Sequence, residues 1–197
     1  LLGGWSFGGV VAFEMARQLK QQSNQVAHVA MFDTWAPLMS RTPGQGDFST
    51  YDLVARFLTD IAGISGKELS VDDELLRHPD TQELLRCVLE QARAHNILPP
   101  DMEVAQLAIL FDVFERNARA FQAYSPPSLE PEGRVVLFRA NDGKNEVADG
   151  PALGWDEILA DQLEVRNVSG DHYTMLSNSN ARDLAEQLRI YLDSVGA

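Results

Sequence analysis

A serine lies between two glycines near the start of the chain, where residues 4–8 read Gly-Trp-Ser-Phe-Gly after a short apolar run. Gly-x-Ser-x-Gly at the junction of a strand and a helix is typical of a nucleophile elbow, a sharp turn with serine at its tip. The turn strains the serine backbone, and Gly4 and Gly8 are expected beside it because a side chain at either position would collide with the neighbouring strand or helix. The pattern predicts Ser6 as a nucleophile, with the Phe7 backbone N–H facing an oxyanion.

Four histidines are available as the base that a serine nucleophile requires. His28 lies within an apolar run and is predicted to be a core histidine, whereas His78 and His95 fall at the ends of predicted helices and are expected to contact solvent. His172 lies on a turn after the last predicted strand, between a glycine and the final helix. Because loops after strand carboxyl ends carry functional groups in open α/β sheets, His172 is the predicted base.

The base in turn needs a carboxylate that fixes its tautomer and stabilises its charged form. Asp33 ends the strand after the elbow helix, and Asp142 follows the next strand. Both respect the chain order of serine, acid and histidine, and both are expected at the same edge of the sheet, so chain position leaves the two open. Asp171, although it adjoins His172, is predicted to cap the following turn.

The elements that must hold these residues alternate between apolar strands and amphipathic helices, which predicts an α/β fold with a mostly parallel sheet. Val11, Met15 and Leu19 are predicted to share the buried face of the first helix, with Ala12 and Ala16 beside them. The next apolar run is typical of a parallel strand that is covered on both faces. The predicted order is helix 8–22, strand 26–32, strand 135–138, helix 154–160, edge strand 163–168 and helix 181–194.

The alternation is interrupted over residues 47–128, which are predicted to be helical. After a loop at 41–46, Ser49 and Asp52 resemble a capping box that opens a helix over 50–61. Further helices are predicted over 71–77, over 81–95 and from 101 to 124. A four-helix insertion between two strands of an α/β sheet favours a lid over an active site, with a separate small helical domain as the alternative.

Length, net charge and composition exclude several classes of binding partner. The chain has 197 residues, enough for one domain, and a formal net charge of −13, which argues against nucleic acid and anionic membranes as partners. No apolar run is long enough to span a bilayer, and no cluster with metal-ligand spacing is present, so no metal is expected. The single cysteine, Cys87, suits a reducing cytoplasm and is predicted to be a small buried hydrophobe.

Three separated motifs carry a resemblance to a known family. They read Gly-Trp-Ser-Phe-Gly-Gly over 4–9, Phe-Asp-Thr-Trp-Ala-Pro over 32–37 and Gly-Asp-His-Tyr-Thr-Met-Leu over 170–176. In order and spacing they resemble the thioesterase domains that end nonribosomal peptide synthetases. These thioesterase domains belong to the α/β-hydrolase superfamily. The resemblance spans nearly the whole chain, and it implies that Asp33, rather than Asp142, is the acid of a Ser6–Asp33–His172 triad. It also implies that the helical insertion is the lid of that family.

The resemblance further implies a reaction and a partner. The expected activity is release of a peptidyl or acyl chain from the 4′-phosphopantetheine arm of an upstream carrier domain, by hydrolysis or macrocyclisation through an acyl-serine intermediate. No cofactor is expected in the domain itself. The family domain also has strands and an oxyanion loop before its elbow, so residues 1–197 are expected to be a domain truncated on its N-terminal side, whose second oxyanion donor lies elsewhere. The alternatives are an esterase or lipase of free esters and an inactive carrier-binding module.

Overall fold

The computed structural model describes residues 1–37, 48–67, 69, 80–126, 133–142 and 150–196. The predicted loop at 41–46, the predicted helix at 71–77 and His78 lie outside the described residues. The strands are β1 (Leu2–Trp5), β2 (His28–Phe32), β3 (Arg134–Ala140) and β4 (Leu163–Val168). The helices are α1 (Phe7–Gln21), α2 (Thr50–Ile64), α3 (Thr81–Ala94), α4 (Val104–Ala123), α5 (Asp156–Leu159) and α6 (Asn178–Val195), with a 3₁₀ turn over Ala160–Gln162.

The four strands form one parallel sheet in the order β1-β2-β3-β4, which confirms the predicted α/β fold. The apolar run over 135–138 is fully buried in β3, as expected for a strand with neighbours on both sides and cover on both faces. Strand β4 lies at an edge of the described sheet, as its alternating sequence predicts. Because all four strands run in the same direction, the loops that follow them meet at one edge of the sheet.

Helix α1 buries Ala12 and Ala16 as predicted, but it leaves Val11 and Met15 exposed. Its buried residues are Gly9, Val10, Ala12, Phe13 and Ala16, whereas Val11 and Met15 are 42% and 47% exposed. The prediction failed because α1 has apolar residues on two faces, so that periodicity alone allowed two choices. The packing buries the face that carries the large Phe13 side chain, which is 1% exposed.

By Cα proximity the chain divides into two compact units, residues 1–43 with 123–197 and residues 44–122. The first contains the sheet with α1, α5 and α6; the second contains helices α2, α3 and almost all of α4. Ser49 and Asp52 form the predicted capping box at the start of α2. The second unit has its own core, which includes Leu53, Phe57, Leu84 and Leu107. The helical segment between β2 and β3 is therefore a folded body with an apolar interior.

Glu14 on α1 is the centre of a charged cluster that includes Tyr124, the residue after α4. Arg17 donates two hydrogen bonds to the Glu14 carboxylate, both at 2.7 Å, and the Tyr124 hydroxyl donates a third at 2.6 Å. The hydrogen bonds from Arg17 lower the pKa of Glu14 to about 2, although burial opposes them. Burial, with the hydrogen bond to Glu14, raises the pKa of Tyr124. The cluster attaches residue 124 to the elbow helix.

Glu14→Gln is expected to lower the free energy of unfolding by about 2 kcal/mol at pH 6, because Glu14 is only 22% exposed and its charge is compensated. A carboxyl whose pKa is depressed in the folded state stabilises fully above its unfolded pKa near 4.5 and loses that contribution as the pH falls toward 2. The difference between wild type and variant should therefore shrink from pH 6 to pH 3 in urea denaturation.

The matched control is Glu83→Gln, since Glu83 pairs with Arg86 at the same spacing on α3 and both side chains are about half exposed. An exposed pair contributes little, so this substitution should change the free energy of unfolding by less than about 0.5 kcal/mol at both pH values. Equal, pH-independent losses in the two variants would contradict the role assigned to the Glu14 cluster.

The predictions about membrane spans and about Cys87 can be compared with the structure. In the part of the chain that the structure describes, no helix is both long and apolar enough to cross a membrane. Cys87, predicted to be a small buried hydrophobe, is partly buried on α3.

Candidate active site

Ser6 joins β1 to α1 in a strained backbone conformation. Its φ is 53° and its ψ −127°, a region that a residue with a side chain rarely adopts. Two backbone hydrogen bonds hold it there: Ser6 N–H donates to Phe32 O at 2.9 Å, and Gly9 N–H donates to Ser6 O at 3.0 Å. Phe7 is the first residue of α1, so its N–H belongs to the positive end of the helix dipole. The strand-to-helix turn predicted from the sequence is present at Ser6.

The glycines around Ser6 are not equivalent. A Cβ added to Gly4 would lie 2.0 Å from the backbone oxygen of Gly8, so β1 and the first turn of α1 approach each other as predicted. A Cβ added to Gly8 meets no atom of the described residues within 4 Å, which corrects the collision expected there. The second close approach is instead at Gly9, where a Cβ would lie 2.0 Å from the Thr34 Oγ1.

Gly4→Ala is expected to destabilise the protein by on the order of 3 kcal/mol, because the new methyl group would overlap backbone atoms of Gly8 and Gly9 that cannot move independently. Gly8→Ala is the matched control, since it adds the same methyl group within the first turn of α1 and meets open space. It should leave the free energy of unfolding within about 1 kcal/mol of wild type, and alanine favours the helix. Thermal unfolding of both variants tests this difference, and equal losses would contradict it.

Asp33 also has a left-handed backbone, with φ 44°, directly after β2. Its N–H donates to Phe138 O at 2.8 Å, and its Oδ1 accepts a hydrogen bond from Ala140 N–H at 3.0 Å. Next to it, the buried Trp155 indole donates to Thr34 O at 2.8 Å. These bonds tie the loop after β2 to strand β3 and to the Trp155 segment, so the Asp33 carboxylate is buried and fixed in direction.

The other oxygen of the Asp33 carboxylate forms a hydrogen bond with the His172 ring. The distance from His172 Nδ1 to Asp33 Oδ2 is 2.7 Å, and the two side chains are 18% and 9% exposed. A carboxylate only accepts hydrogen bonds, so the assignment that satisfies the pair puts a proton on Nδ1. In neutral imidazole this leaves the Nε2 lone pair available to accept a proton. The arrangement is that of a general base oriented by a buried acid.

Asp142, the other candidate acid, is directed toward a glycine of the loop that carries His172. Its Oδ2 accepts a hydrogen bond from Gly170 N–H at 3.1 Å, and its own N–H donates to Gly170 O at 3.0 Å. Of the two carboxylates left open by chain order, the one in contact with His172 is Asp33.

Asp171 caps the turn after it, as predicted. Its Oδ1 accepts hydrogen bonds from Tyr173 N–H at 3.0 Å and from Thr174 N–H at 2.9 Å. Burial acts to raise the pKa of Asp171, but the hydrogen bonds from Thr174 and Tyr173 outweigh it and hold the pKa below its usual value. The Asp171 carboxylate, although next to His172 in sequence, therefore accepts hydrogen bonds from the loop backbone.

Aromatic side chains surround the His172 ring. The Trp5 ring centroid lies 4.9 Å from that of His172, and the Trp5 indole N–H donates to His172 O at 2.9 Å. Trp35 stacks on the imidazole with centroids 5.7 Å apart and ring planes within 4° of parallel, and Tyr173 packs edge-on at 5.0 Å. The hydrogen bond from Trp5, the residue before Ser6, therefore joins the elbow to the loop that carries His172.

Sequence reasoning missed the roles of Trp5 and Trp35 around His172. Both residues lie within the quoted motifs, but a motif gives the residue type without the direction of its side chain. The one available signal was position, since Trp5 and Trp35 flank the ends of two neighbouring parallel strands.

Two other histidines that the structure describes, His28 and His95, make contacts of their own. His28 is 8% exposed and its Nδ1 lies 3.1 Å from the Tyr191 hydroxyl, so it is the core histidine that was predicted. Burial lowers the pKa of His28. His95 ends α3, where it is exposed and its Nδ1 lies 2.9 Å from Gln91 O. Within the described ranges, no three His, Cys, Asp or Glu side chains are grouped so that they could hold a metal ion.

A parallel sheet with a strained serine after one strand, and an Asp–His pair at the same edge, defines the α/β-hydrolase class. The sequence pattern of the thioesterase domain family matches residues 1–191. The chain therefore belongs to the thioesterase domain family.

Similar proteins include parts of large synthetases. Chondramide synthase cmdD of Chondromyces crocatus is 29% identical over 98% of this chain, which spans 5% of that protein. The four-domain nonribosomal peptide synthetase AB3403, crystallised in its holo form with AMP and glycine, matches with a TM-score of 0.83 at 33% identity, over 97% of this chain and 14% of that chain. The NocB thioesterase domain, in covalent complex with a fluorophosphonate nocardicin G analogue, matches with a TM-score of 0.60 at 26% identity, over 97% of this chain and 65% of that domain.

Proposed function

We propose that this chain releases an acyl or peptidyl group from a thioester on the phosphopantetheine arm of a carrier domain, through an ester on Ser6. The observation that carries the proposal is the 2.7 Å hydrogen bond between His172 and Asp33, at the sheet edge where the strained Ser6 lies, in a chain of the thioesterase domain family. The carrier domain is proposed because the similar proteins are multidomain synthetases, of which this chain spans a small part.

The first half of the reaction forms the acyl-enzyme. His172 Nε2 takes the proton of the Ser6 hydroxyl while Ser6 Oγ attacks the thioester carbonyl carbon, and Asp33 stabilises the imidazolium that results. The tetrahedral oxyanion accepts a hydrogen bond from Phe7 N–H at the start of α1. The C–S bond then breaks, and the thiol of the phosphopantetheine arm leaves with the proton from His172. The product of this step is an acyl ester of Ser6.

The second half releases the product. Water, or an amine or hydroxyl group of the acyl chain itself, attacks the ester carbonyl while His172 removes its proton. The proton passes to Ser6 Oγ as the ester C–O bond breaks, which restores the serine and gives a free acid or a ring. The fixed Asp33 carboxylate holds the same His172 tautomer through both halves.

The helical insertion over residues 47–128 is proposed to act as a lid that shapes the acyl pocket and limits the access of water. What supports this is its position in the chain, between the strand that precedes Asp33 and β3, and its independent apolar core. The single cysteine of the chain suits a reducing compartment, so we place this activity in the cytoplasm.

The proposal is tested with two small substrates on the intact protein. A decanoyl thioester of N-acetylcysteamine reproduces the end of a phosphopantetheine arm, and p-nitrophenyl decanoate offers the same acyl group as a free ester. A carrier-dependent thioesterase should have the higher kcat/KM for the thioester. A clear preference for the free ester would favour an esterase, and no turnover of either substrate would favour an inactive carrier-binding module.

A further inference from the structure

The strand order sets a geometric requirement on the His172 loop. Asp33 follows β2 and the loop of His172 follows β4, so β3 lies between the two strands whose loops carry the pair. The His172 side chain reaches Asp33 only because its loop passes across the carboxyl end of β3. That end already supports Asp33 through the Ala140 N–H. A residue just after Ala140 is therefore in a position to support the crossing loop as well.

Asp142 occupies that position and makes a two-point contact with the loop. Its carboxylate accepts from Gly170 N–H at 3.1 Å, and its backbone N–H donates to Gly170 O at 3.0 Å. The preceding residue, Asn141, donates its N–H to Val168 O at 3.0 Å, which continues the pairing of β3 with β4. The loop is thus attached to the end of β3 two residues before His172.

Gly170 is well suited to be the fixed point. It is buried and its φ is 94°, and an added Cβ would lie 2.5 Å from the Asn180 side-chain nitrogen, so its backbone path is restricted to glycine. From the other side, the Trp5 indole holds the carbonyl of His172 at 2.9 Å. The short segment from Gly170 to His172 is therefore held at both ends, and Asp142 supplies the side-chain part of one attachment.

We infer that Asp142 is a positioning residue of the active site, which sets the position of the His172 imidazole by fixing Gly170. This inference rests on the proposed function, because it assigns a role in catalysis to the placement of His172. Asp142 acts as a hydrogen-bond acceptor to a backbone N–H, and this role requires an oxygen atom but no negative charge. An acid that orients His172 directly would require the charge.

The test compares Asp142→Ala with Asp142→Asn in the intact protein, using the decanoyl N-acetylcysteamine thioester. Asp142→Ala removes the acceptor and should lower kcat about tenfold, with KM within about twofold of wild type, because the acyl group binds unchanged while His172 is misplaced. Asp142→Asn keeps an oxygen that accepts from Gly170 N–H and should restore kcat to within about twofold of wild type. Since Asp142 is exposed, neither substitution opens the core.

Asp183→Ala is the control for general loosening of the loop, because Asp183 accepts hydrogen bonds from Ser169 N–H and Ser169 Oγ, both at 2.8 Å, one residue before Gly170. It should lower the melting temperature but leave kcat within about twofold. The inference is overturned if Asp142→Ala keeps full kcat, if Asp142→Asn is as slow as Asp142→Ala, or if Asp183→Ala loses kcat equally. Undiminished turnover by Ser6→Ala in the same assay would instead reject the proposed function, which keeps the two failures distinct.

Discussion

Ser6→Ala is expected to lower the rate of thioester cleavage on the order of 10⁶-fold, because alanine has no hydroxyl oxygen to form the proposed acyl-enzyme. The remaining rate would come from binding and from the oxyanion donors alone. The measurement is release of N-acetylcysteamine from its decanoyl thioester by the intact variant. The fold should be retained, since alanine and serine have the same backbone restriction at the observed φ of 53°.

Ser23→Ala is the matched control for this variant. Ser23 has a φ of 61° just after the other end of α1, and it is exposed, so the same change of side chain is made at another residue with a positive φ. Its turnover should equal that of wild type. If Ser6→Ala kept turnover within tenfold of the Ser23→Ala variant, Ser6 would not be the nucleophile.

Asp33→Asn is expected to lower kcat on the order of 10⁴-fold with little change in stability. The amide can still accept the hydrogen bond from Ala140 N–H, and asparagine tolerates the φ of 44°, so the loop should keep its path. Unlike the carboxylate, the amide can also donate a hydrogen bond, so it does not require the proton of neutral His172 to be on Nδ1. The amide is also uncharged and cannot stabilise an imidazolium.

Asp142→Asn is the comparison that separates the two candidate acids, and it is measured in the same thioester assay. This variant makes the same change of carboxylate to amide at the end of the neighbouring strand. There the carboxylate accepts a hydrogen bond from Gly170 N–H instead of from an imidazole. A 10⁴-fold loss in Asp142→Asn together with near-normal turnover in Asp33→Asn would reverse the assignment of the acid.

The sheet could be predicted from the sequence because the runs in β2 and β3 are apolar without alternation, which indicates parallel strands covered on both faces. The turn at Ser6 could be predicted because its glycine spacing has a steric origin, which Gly4 displays. Both features are determined by residues that are close to each other in the sequence, so a local sequence pattern is sufficient to predict them.

The choice between Asp33 and Asp142 depends on contacts between residues more than a hundred positions apart. Asp33 and His172 are separated by 139 positions, and nothing in chain order states which strand end the His172 loop crosses. The resemblance to a known family favoured Asp33, whereas the residues alone left both acids open. The error at α1 has a related cause, because apolar residues lie on two faces of that helix and only tertiary packing selects one.

Whether Ser6 is the nucleophile activated by the Asp33–His172 pair can be tested by the site of covalent labelling with a phosphonylating reagent. The intact protein is treated with an alkyl fluorophosphonate, digested, and analysed by mass spectrometry, with the Asp33→Asn variant in parallel. We expect a single adduct on the peptide that carries Ser6, formed much more slowly when Asp33 is replaced. An adduct on another residue, or no adduct in the wild-type protein, would contradict this expectation.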